Sequence, residues 1–269
     1  MATQLGIIGG GVMGEALLSR LVAQGTYRAD AIWVGEPTAA RCELLHQTYG
    51  VTAIADNQAV VDASDVLLLA VKPQIFSAMA AALSPQNSQQ LVVSIMAGVP
   101  LQKLETHFEG QPVIRAMPNT PATVGAGMTA IAPGTHATAE HLDVAQQLFA
   151  AVGDVVQVPE SSMDAVTGVS GSGPAFVALV VESLADGGVA AGLPRAIAQR
   201  LALQTVRGTA ELLQTTELHP AVLKDRVTSP GGTTIAGVAA LEKAGLRNAL
   251  IEAVKAAYGR SQELGKVKD

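Results

Sequence analysis

The sequence predicts an α/β fold, in which a doubly wound, mostly parallel sheet is followed by a domain made only of helices. Up to about residue 160, short β-branched runs alternate with helical stretches. These runs are apolar almost throughout, as expected for strands of a parallel sheet that is covered on both faces. After Pro159 the strand-like runs stop, and every later segment has helical spacing. We therefore divide the chain into residues 1–160 and residues 161–269.

The strands of the first domain are placed by their apolar runs. They are, in chain order, Leu5–Ile8, Ala31–Val34, Val66–Ala70, Leu91–Ile95, Val113–Arg115, Met128–Ile131 and Val155–Val158, with a helix over Ala139–Ala151 between the last two. In a doubly wound sheet the ligand binds at the edge where the strands reach their carboxyl ends. We therefore look for the functional residues in the segments that follow these strands.

The helices of the second domain are placed by helical spacing and by Gly and Pro. They run from Ser161 to Ala191, onward from Pro194, and over Pro220–Val227, Thr234–Ala244 and Leu246–Leu264. Pro174 removes a backbone donor and predicts a break or kink inside the first of them. Aromatic residues make up 3% of the chain, so these helical layers are thin, which favours completing their cores between subunits.

A glycine motif follows the first strand directly. Gly9-Gly10-Gly11-Val12-Met13-Gly14 matches G-x-G-x-x-G and opens a helix. Glycines at this spacing permit a tight turn and let the backbone approach a pyrophosphate, which the free N–H groups of the helix N-terminus then bind. A glycine-rich turn without a ligand is the alternative, and the position between strand and helix disfavours it. The motif predicts a Rossmann-type dinucleotide site.

Glu36, at the end of the second strand, stands where the acidic ligand of the coenzyme ribose is expected. Its alternative is a solvated loop carboxylate. A carboxylate beside the ribose disfavours a 2′-phosphate and hence NADPH, whereas Arg41 on the following helix could offset this effect. The sequence leaves the choice between NADH and NADPH open.

Three further segments follow strands at the same edge. They are Ala70-Val71-Lys72-Pro73, the small residues Met96-Ala97-Gly98-Val99, and the stiff turn Met117-Pro118-Asn119-Thr120-Pro121. The small residues would let a flat nicotinamide lie against the backbone. Lys72 as a solvated strand end, and the last segment as a plain turn, remain open alternatives.

Two loops of the helical domain are rich in glycine and hydroxyl residues. For Ser170-Gly171-Ser172-Gly173-Pro174, a packing kink is as good an explanation as a ligand. The segment Thr228-Ser229-Pro230-Gly231-Gly232-Thr233-Thr234 leads into a helix N-terminus with free N–H groups and several hydroxyls, which suits a carboxylate. The alternative for this second loop is an ordinary helix N-cap supplied by Thr233 or Thr234.

Composition argues against several other classes of protein. Charged residues make up 15% of the chain and the net charge is −6, so we expect no nucleic-acid partner. The single cysteine, Cys42, and five histidines without metal-ligand spacing predict a reducing, cytoplasmic location and no metal. The first residues lack a basic n-region and no apolar run approaches about 18 residues, so we expect neither a signal peptide nor a membrane span.

Several motifs together resemble those of the Δ1-pyrroline-5-carboxylate reductase family. They are Gly9–Gly14, Ala70–Pro73, Arg115–Pro121, Asp164–Gly168 with Ser170–Ala175, and the stretch from His219 to Thr234. The resemblance covers essentially the whole chain. Each motif alone is moderately specific, and their order and separation make the set strong.

The resemblance implies hydride transfer from NADPH or NADH to C5 of pyrroline-5-carboxylate, which yields L-proline. It also implies a helical dimerisation domain that forms an intertwined homodimer and often a ring of five dimers. On this basis the coenzyme is held by Gly9, Gly11, Val12, Met13, Gly14, Gly35, Glu36, Asn57, Ala70, Val71, Lys72, Pro73, Ala97 and Gly98. The substrate is held by Glu160, Ser229, Gly232, Thr233 and Thr234, with Thr234 as the catalytic group. The family often has Ser, Arg or Thr after its second strand, whereas this chain has Gly35-Glu36-Pro37.

Two other functions fit part of the pattern. A β-hydroxyacid dehydrogenase pairs the same coenzyme domain with helices but needs a lysine in the helix that follows it, and this chain has no lysine between Lys103 and Lys224. A non-enzymatic dinucleotide sensor would keep the glycine loop but would not need the loop from Ser229 to Thr234. Both functions are disfavoured on these grounds.

Overall fold

A computed structural model describes residues 3–84 and 87–266 of the chain. The chain divides into two compact units. The first takes in the chain up to Ser172 and again from Ala256 onward, and the second is Gly173–Lys255. Residues 160–172 belong to the first unit because Met163 is completely buried in its core. A domain boundary at residue 160 therefore stays a prediction from composition, while the compact units change over 12 residues later, at 172.

The first unit is built on one eight-stranded sheet with the order β3-β2-β1-β4-β5-β6-β7-β8. The strands are β1 (Leu5–Ile8), β2 (Ile32–Gly35), β3 (Thr52–Ile54), β4 (Val66–Leu69), β5 (Leu91–Ser94), β6 (Val113–Met117), β7 (Gly127–Pro133) and β8 (Gly153–Gln157). All neighbouring strands pair in parallel except β6 and β7, which are antiparallel. The predicted α/β class with a mostly parallel sheet is confirmed, and β3 is an addition to the predicted strands.

Helices cover both faces of this sheet. They are α1 (Val12–Ala23), α2 (Ala39–Tyr49), α3 (Asn57–Asp62), α4 (Phe76–Ala81), α5 (Leu101–His107), α6 (Ala139–Ala150) and α7 (Met163–Val166). Successive residues of β1 point to opposite faces, so Ile7 joins the core cluster with Leu17 of α1, while Ile8 joins the cluster with Val60 and Phe76. The two separate cores explain why the strands are apolar without alternation.

The second unit consists of helices. These are α8 (Gly173–Ala190), α9 (Arg195–Thr216), α10 (Pro220–Arg226), α11 (Thr233–Lys243) and the first part of α12 (Leu246–Lys266). Its own core is small, with the buried residues Ala185, Ala198 and Ala202. Leu179 and Leu203 are 62% and 60% exposed. A single copy of this unit therefore leaves much of its apolar surface uncovered.

The chain from Glu160 to Ala190 forms a continuous helical stretch that is long and apolar enough, by length and composition, to cross a membrane. Only 6% of its most apolar window is buried within the single chain. Glu182 and Asp186 interrupt the apolar residues of this stretch, and the expectation that the chain has no membrane span stays a prediction. The helix continues through Asp164 and the glycine-rich segment by means of a π-helical turn at Thr167–Gly171, and α8 then begins at Gly173. Pro174 lies in the first turn of α8, where its missing N–H removes no helical hydrogen bond.

The last turns of α12 return to the first unit. Ser261 is 5% exposed, and its hydroxyl donates a hydrogen bond of 2.7 Å to the Asp164 carboxylate. Further along, the carbonyl oxygen of Gly98 lies 3.4 Å from the position that a Cβ on Gly265 would take. The end of α12 therefore packs beside the segment that follows β5.

Candidate active site

The glycine loop after β1 is shaped by two close approaches of the backbone. Gly9 has φ +110°, and a Cβ there would lie 2.6 Å from the carbonyl oxygen of Ala70. A Cβ on Gly14 would collide with the carbonyl oxygen of Gly9. Any other residue at either position would push the loop away from β4 or from α1.

Gly11 differs from these two glycines because it is open to solvent. A Cβ at Gly11 would meet no atom within 4 Å. Gly11 is the N-cap of α1 and makes no side-chain cap, and Val12, the first residue of that helix, is 78% exposed. The free N–H groups and positive end of the helix dipole face this space. A dinucleotide pyrophosphate fits here, because the cradle is open and the helix N-terminus offers backbone N–H donors.

Neighbouring strand ends close around the glycine loop. The N–H of Gly9 donates to the carbonyl of Gly35 (2.9 Å), and the N–H of Ala70 donates to the carbonyl of Ile8 (2.8 Å). A Cβ on Gly35 would collide with the amide oxygen of Asn57. The structure therefore brings together four of the predicted coenzyme residues, Gly9, Gly35, Asn57 and Ala70.

The remaining predicted coenzyme residues leave the sheet at the same edge. Leu69 of β4 and Ser94 of β5 are paired in parallel register, so Val71, Lys72 and Pro73 emerge next to Ala97 and Gly98. Lys72 and Ala97 are exposed, and Gly98 has φ +75°. These segments lie at the same edge of the sheet as the glycine loop, which is the edge where ligands bind in doubly wound folds.

Glu36 and Arg41 both lie against the glycine loop. One carboxylate oxygen of Glu36 accepts the backbone N–H of Thr38 (3.1 Å), and the other would lie 3.2 Å from a Cβ on Gly10. Arg41 donates from Nε and Nη2 to the carbonyl of Gly10, at 3.1 and 3.0 Å, and forms an ion pair with Glu15. Glu36 is half-buried beside the loop, and Arg41 is already engaged.

The turn after β6 and the glycine-rich segment before α8 support each other. The side-chain amide of Asn119 donates to the carbonyl and hydroxyl oxygens of Ser170, both at 3.2 Å, and its oxygen accepts the N–H of Met128 (2.9 Å). A Cβ on Gly171 would lie 2.9 Å from the terminal methyl of Met117. These contacts give both segments a packing role within the first unit.

Glu160, a predicted substrate residue, is part of an ion pair. Its carboxylate accepts the N–H of Leu101 at the start of α5 (2.6 Å) and a bond from Arg115 (3.2 Å). The Arg115 side chain is 8% exposed and that of Glu160 is 35% exposed. The sequence carries a signal for this pair, because Arg115 is a basic residue inside an apolar strand. Substrate binding by Glu160 stays a prediction.

The loop from Ser229 to Thr234 belongs to the second unit. Gly231 has φ +67°, and a Cβ on Gly232 would collide with the Ser229 hydroxyl. The N-cap of α11 is Gly232, which makes no side-chain cap, so the alternative of a cap supplied by Thr233 or Thr234 is wrong. The first N–H groups of α11 therefore remain open to a carboxylate. That this loop and the glycine loop form one site is a prediction from the sequence.

Metal ligation has no candidate in the described part of the chain. Within residues 3–84 and 87–266, no group of three or more His, Cys, Asp or Glu side chains is placed to hold a metal ion.

Known proteins match both parts of the chain. Residues 160–264 match the family model described as pyrroline-5-carboxylate reductase dimerisation, and residues 4–98 match the model described as NADP oxidoreductase, coenzyme F420-dependent. A pyrroline-5-carboxylate reductase of Synechocystis is 63% identical over 266 residues, which cover 99% of this chain and 100% of that protein. This chain belongs to the pyrroline-5-carboxylate reductase family.

Solved structures of pyrroline-5-carboxylate reductases have the same fold. The enzyme of Coxiella burnetii superposes with a TM-score of 0.92 at 33% identity, covering 99% of this chain and 100% of that one. The Plasmodium falciparum enzyme, whose structure contains NADP, superposes with a TM-score of 0.88 at 30% identity, covering 98% of both chains. The predicted family and fold are confirmed.

The pyrroline-5-carboxylate reductase dimerisation model accounts for the exposed apolar helices. It begins at residue 160 and covers the whole of the apolar stretch from Glu160 to Ala190 and of α9 to α11. The helical region is therefore a dimerisation domain, in which exposed apolar side chains are expected on a single subunit.

Proposed function

We propose that this chain reduces Δ1-pyrroline-5-carboxylate to L-proline with NADPH or NADH, the last step of proline synthesis. The observation that carries the proposal is the unobstructed N-terminus of α1 at Gly11, which lies among the carboxyl ends of β1, β2 and β4. A dinucleotide site explains why Gly9, Gly14 and Gly35 are all packed against backbone or amide atoms while Gly11 is left free.

The coenzyme residues of the proposal are those at this edge. Gly9, Gly11, Val12, Met13 and Gly14 hold the pyrophosphate, Gly35 and Glu36 lie beside the adenosine ribose, and the remainder of the groove is formed by Asn57, Ala70, Val71, Lys72, Pro73, Ala97 and Gly98. The contacts among Gly9, Gly35, Asn57 and Ala70 support this assignment. The bound nicotinamide supplies the hydride.

The substrate residues of the proposal are Glu160, Ser229, Gly232, Thr233 and Thr234. The open N–H groups at the start of α11 bind the substrate carboxylate, and the half-buried Thr234 hydroxyl forms a hydrogen bond with the ring nitrogen. A protonated cyclic imine is already electrophilic, so the protein has to position the imine rather than create a nucleophile. Such positioning is worth roughly 7–11 kcal/mol relative to free encounter.

The proposed assembly is a homodimer formed by the helical domain, and further a ring of five dimers. The exposed apolar side chains of the second unit support the dimer. We further propose that the protein works in the cytoplasm, with no nucleic-acid or membrane partner. The net charge of −6 supports the first absence, and the use of the apolar helix in dimerisation supports the second.

The test of this function is coenzyme oxidation by the purified protein. Absorbance at 340 nm is expected to fall only when pyrroline-5-carboxylate is added, with L-proline as the product. Absence of turnover with both NADH and NADPH would contradict the proposal.

Thr234→Ala tests the catalytic assignment. It is expected to lower kcat by about tenfold or more, because a hydrogen bond to a charged group contributes about 1.5–3 kcal/mol. Coenzyme affinity, measured by fluorescence titration, is expected to stay at the wild-type value, and Thr234→Ser is expected to restore turnover. The matched variant Thr233→Ala keeps the backbone N–H and is expected to change KM more than kcat. Loss of turnover and coenzyme affinity together in Thr234→Ala would mean a structural role.

A further inference from the structure

Arg41 is held in place by two groups, the Gly10 carbonyl and the Glu15 carboxylate. Its guanidinium donates two hydrogen bonds to the carbonyl of Gly10 (3.1 and 3.0 Å) and forms an ion pair with the Glu15 carboxylate. The other oxygen of Glu15 accepts the hydroxyl of Tyr49 at 3.0 Å. Both charged side chains are more than two-thirds buried, at 28% and 29% exposed. The arrangement links α1, α2 and the glycine loop.

This arrangement matters for the coenzyme because of where Arg41 lies. It is on the helix that follows β2, where a basic residue binds the 2′-phosphate of NADPH in dinucleotide sites. Its positive charge is paired with the Glu15 carboxylate, and two of its guanidinium N–H groups donate to the Gly10 carbonyl. Binding a 2′-phosphate would require Arg41 to leave Glu15, which would then keep a half-buried negative charge without its partner.

Glu36 adds a second barrier to a 2′-phosphate. Its carboxylate lies directly after β2 and beside Gly10, with one oxygen held by the N–H of Thr38. A carboxylate accepts hydrogen bonds from ribose hydroxyls but repels a phosphate, which carries between one and two negative charges. Glu36 and Glu15 therefore present two carboxylates near the glycine loop, with Arg41 neutralising one of them.

We propose that Glu15, by holding Arg41 against Gly10, acts with Glu36 to make this chain bind NADH more tightly than NADPH. Glu15 is then a positioning residue for coenzyme selectivity, and Glu36 is the ribose ligand. The inference rests on the coenzyme site of the proposed function, but it does not depend on the imine substrate. It also separates this chain from the Plasmodium falciparum relative, whose structure contains NADP.

The experiment is a fluorescence titration of the free, full-length protein with NADH and with NADPH, in the absence of the imine. The wild type is expected to bind NADH about tenfold or more tightly than NADPH, since selectivity is a difference between two binding free energies. Glu15→Gln keeps an acceptor for Tyr49 and the size of the side chain but loses the charge. It is expected to lower the ratio of the NADPH Kd to the NADH Kd by about tenfold, because Arg41 becomes available to the phosphate.

Three further variants assign the effect to named residues. Adding Arg41→Leu to Glu15→Gln is expected to restore the high ratio of the two Kd values. The matched control is Glu43→Gln, which removes a carboxylate from the exposed face of α2, where Glu43 accepts a hydrogen bond from the Gln47 amide in its own helix. This control is expected to leave the ratio unchanged. Glu36→Gln is expected to lower the ratio of the NADPH Kd to the NADH Kd.

The ratio distinguishes selectivity from damage to the loop, because both coenzymes share the same pyrophosphate. Equal weakening of NADH and NADPH in Glu15→Gln would show a merely structural role and overturn the proposal. Tighter binding of NADPH than of NADH by the wild type would overturn it as well. Binding with the expected ratio but no reduction of the imine would contradict the proposed function and leave the selectivity standing. Failure to bind either coenzyme would refute both.

Discussion

The glycine loop gives a paired test, because two of its glycines have opposite surroundings. At Gly9 a Cβ would lie 2.6 Å from the carbonyl oxygen of Ala70, and φ is +110°. At Gly11 a Cβ would meet nothing within 4 Å, and φ is −74°. Gly9→Ala therefore changes the fold of the loop, whereas Gly11→Ala changes only the space that is left for the ligand.

The expected sizes of the two effects follow from these contacts. In Gly9→Ala, the unfavourable backbone conformation costs about 1–3 kcal/mol, and the overpacking against a backbone atom about 1–3 kcal/mol. The expected loss in the free energy of unfolding is therefore about 2–6 kcal/mol, a large part of a typical total of about 5–15 kcal/mol. In Gly11→Ala, the loss is expected to stay within about 1 kcal/mol, as for alanine at an N-cap.

The assays are urea denaturation at one fixed protein concentration and fluorescence titration with NADH. Gly11→Ala is expected to keep its unfolding midpoint near the wild-type value and to lose affinity for NADH by about tenfold or more, since the methyl group enters a space that phosphate oxygens need. Gly9→Ala is expected to lose both stability and affinity. Wild-type affinity in Gly11→Ala would refute the placement of the pyrophosphate, and wild-type stability in Gly9→Ala would refute the account of the turn.

Three more predictions concern contacts away from the loop. Glu160→Ala leaves the buried Arg115 without its carboxylate and is expected to cost about 1–3 kcal/mol in urea denaturation, while Glu160→Gln, which keeps an acceptor, should cost less; equal costs would contradict this account. Ser261→Ala removes the hydrogen bond to Asp164 and is expected to speed hydrogen exchange in residues 256–266; unchanged exchange there would mean that the bond does not hold the segment. The pKa of Tyr49 is raised above 10.0, first by desolvation and then by its hydrogen bond to a carboxylate. Because the fold favours the neutral phenol, this stabilisation is complete below pH 10.0 and is lost as the pH rises through the folded pKa. Tyr49→Phe should therefore weaken the pH dependence of the free energy of unfolding above pH 10. An unchanged pH profile in this variant would contradict the role given to Tyr49.

Most of the strands that were predicted from the sequence are buried, whereas Val155–Val158 at the β8 edge of the sheet is largely exposed. Leu5–Ile8, Val66–Leu69 and Leu91–Ser94 are buried at every position, so each appears as an apolar run. The edge strand Thr52–Ile54 is only partly buried, and it is held by pairing with β2. Its short sequence has neither alternation nor a continuous apolar run, so no pattern could have revealed it.

The candidate site likewise combines motifs of consecutive residues with contacts between residues that are far apart in the chain. The glycine motif and the loop before α11 could be singled out in the sequence because the functions proposed for them depend on consecutive residues. The state of Arg41 was not, because it depends on Glu15, which is 26 residues away in the chain. Likewise, Asp164 and Ser261 are 97 residues apart, and only the folded chain brings them together.

The first compact unit is made from two stretches of chain, one before and one after residues 173–255. During synthesis, residues 1–172 leave the ribosome first. The end of α12, which contains the buried Ser261 and packs beside Gly98, emerges only after the whole helical unit. The first unit therefore has all eight of its strands before the dimerisation helices emerge, but it gains the hydrogen bond from Ser261 to Asp164 only after them.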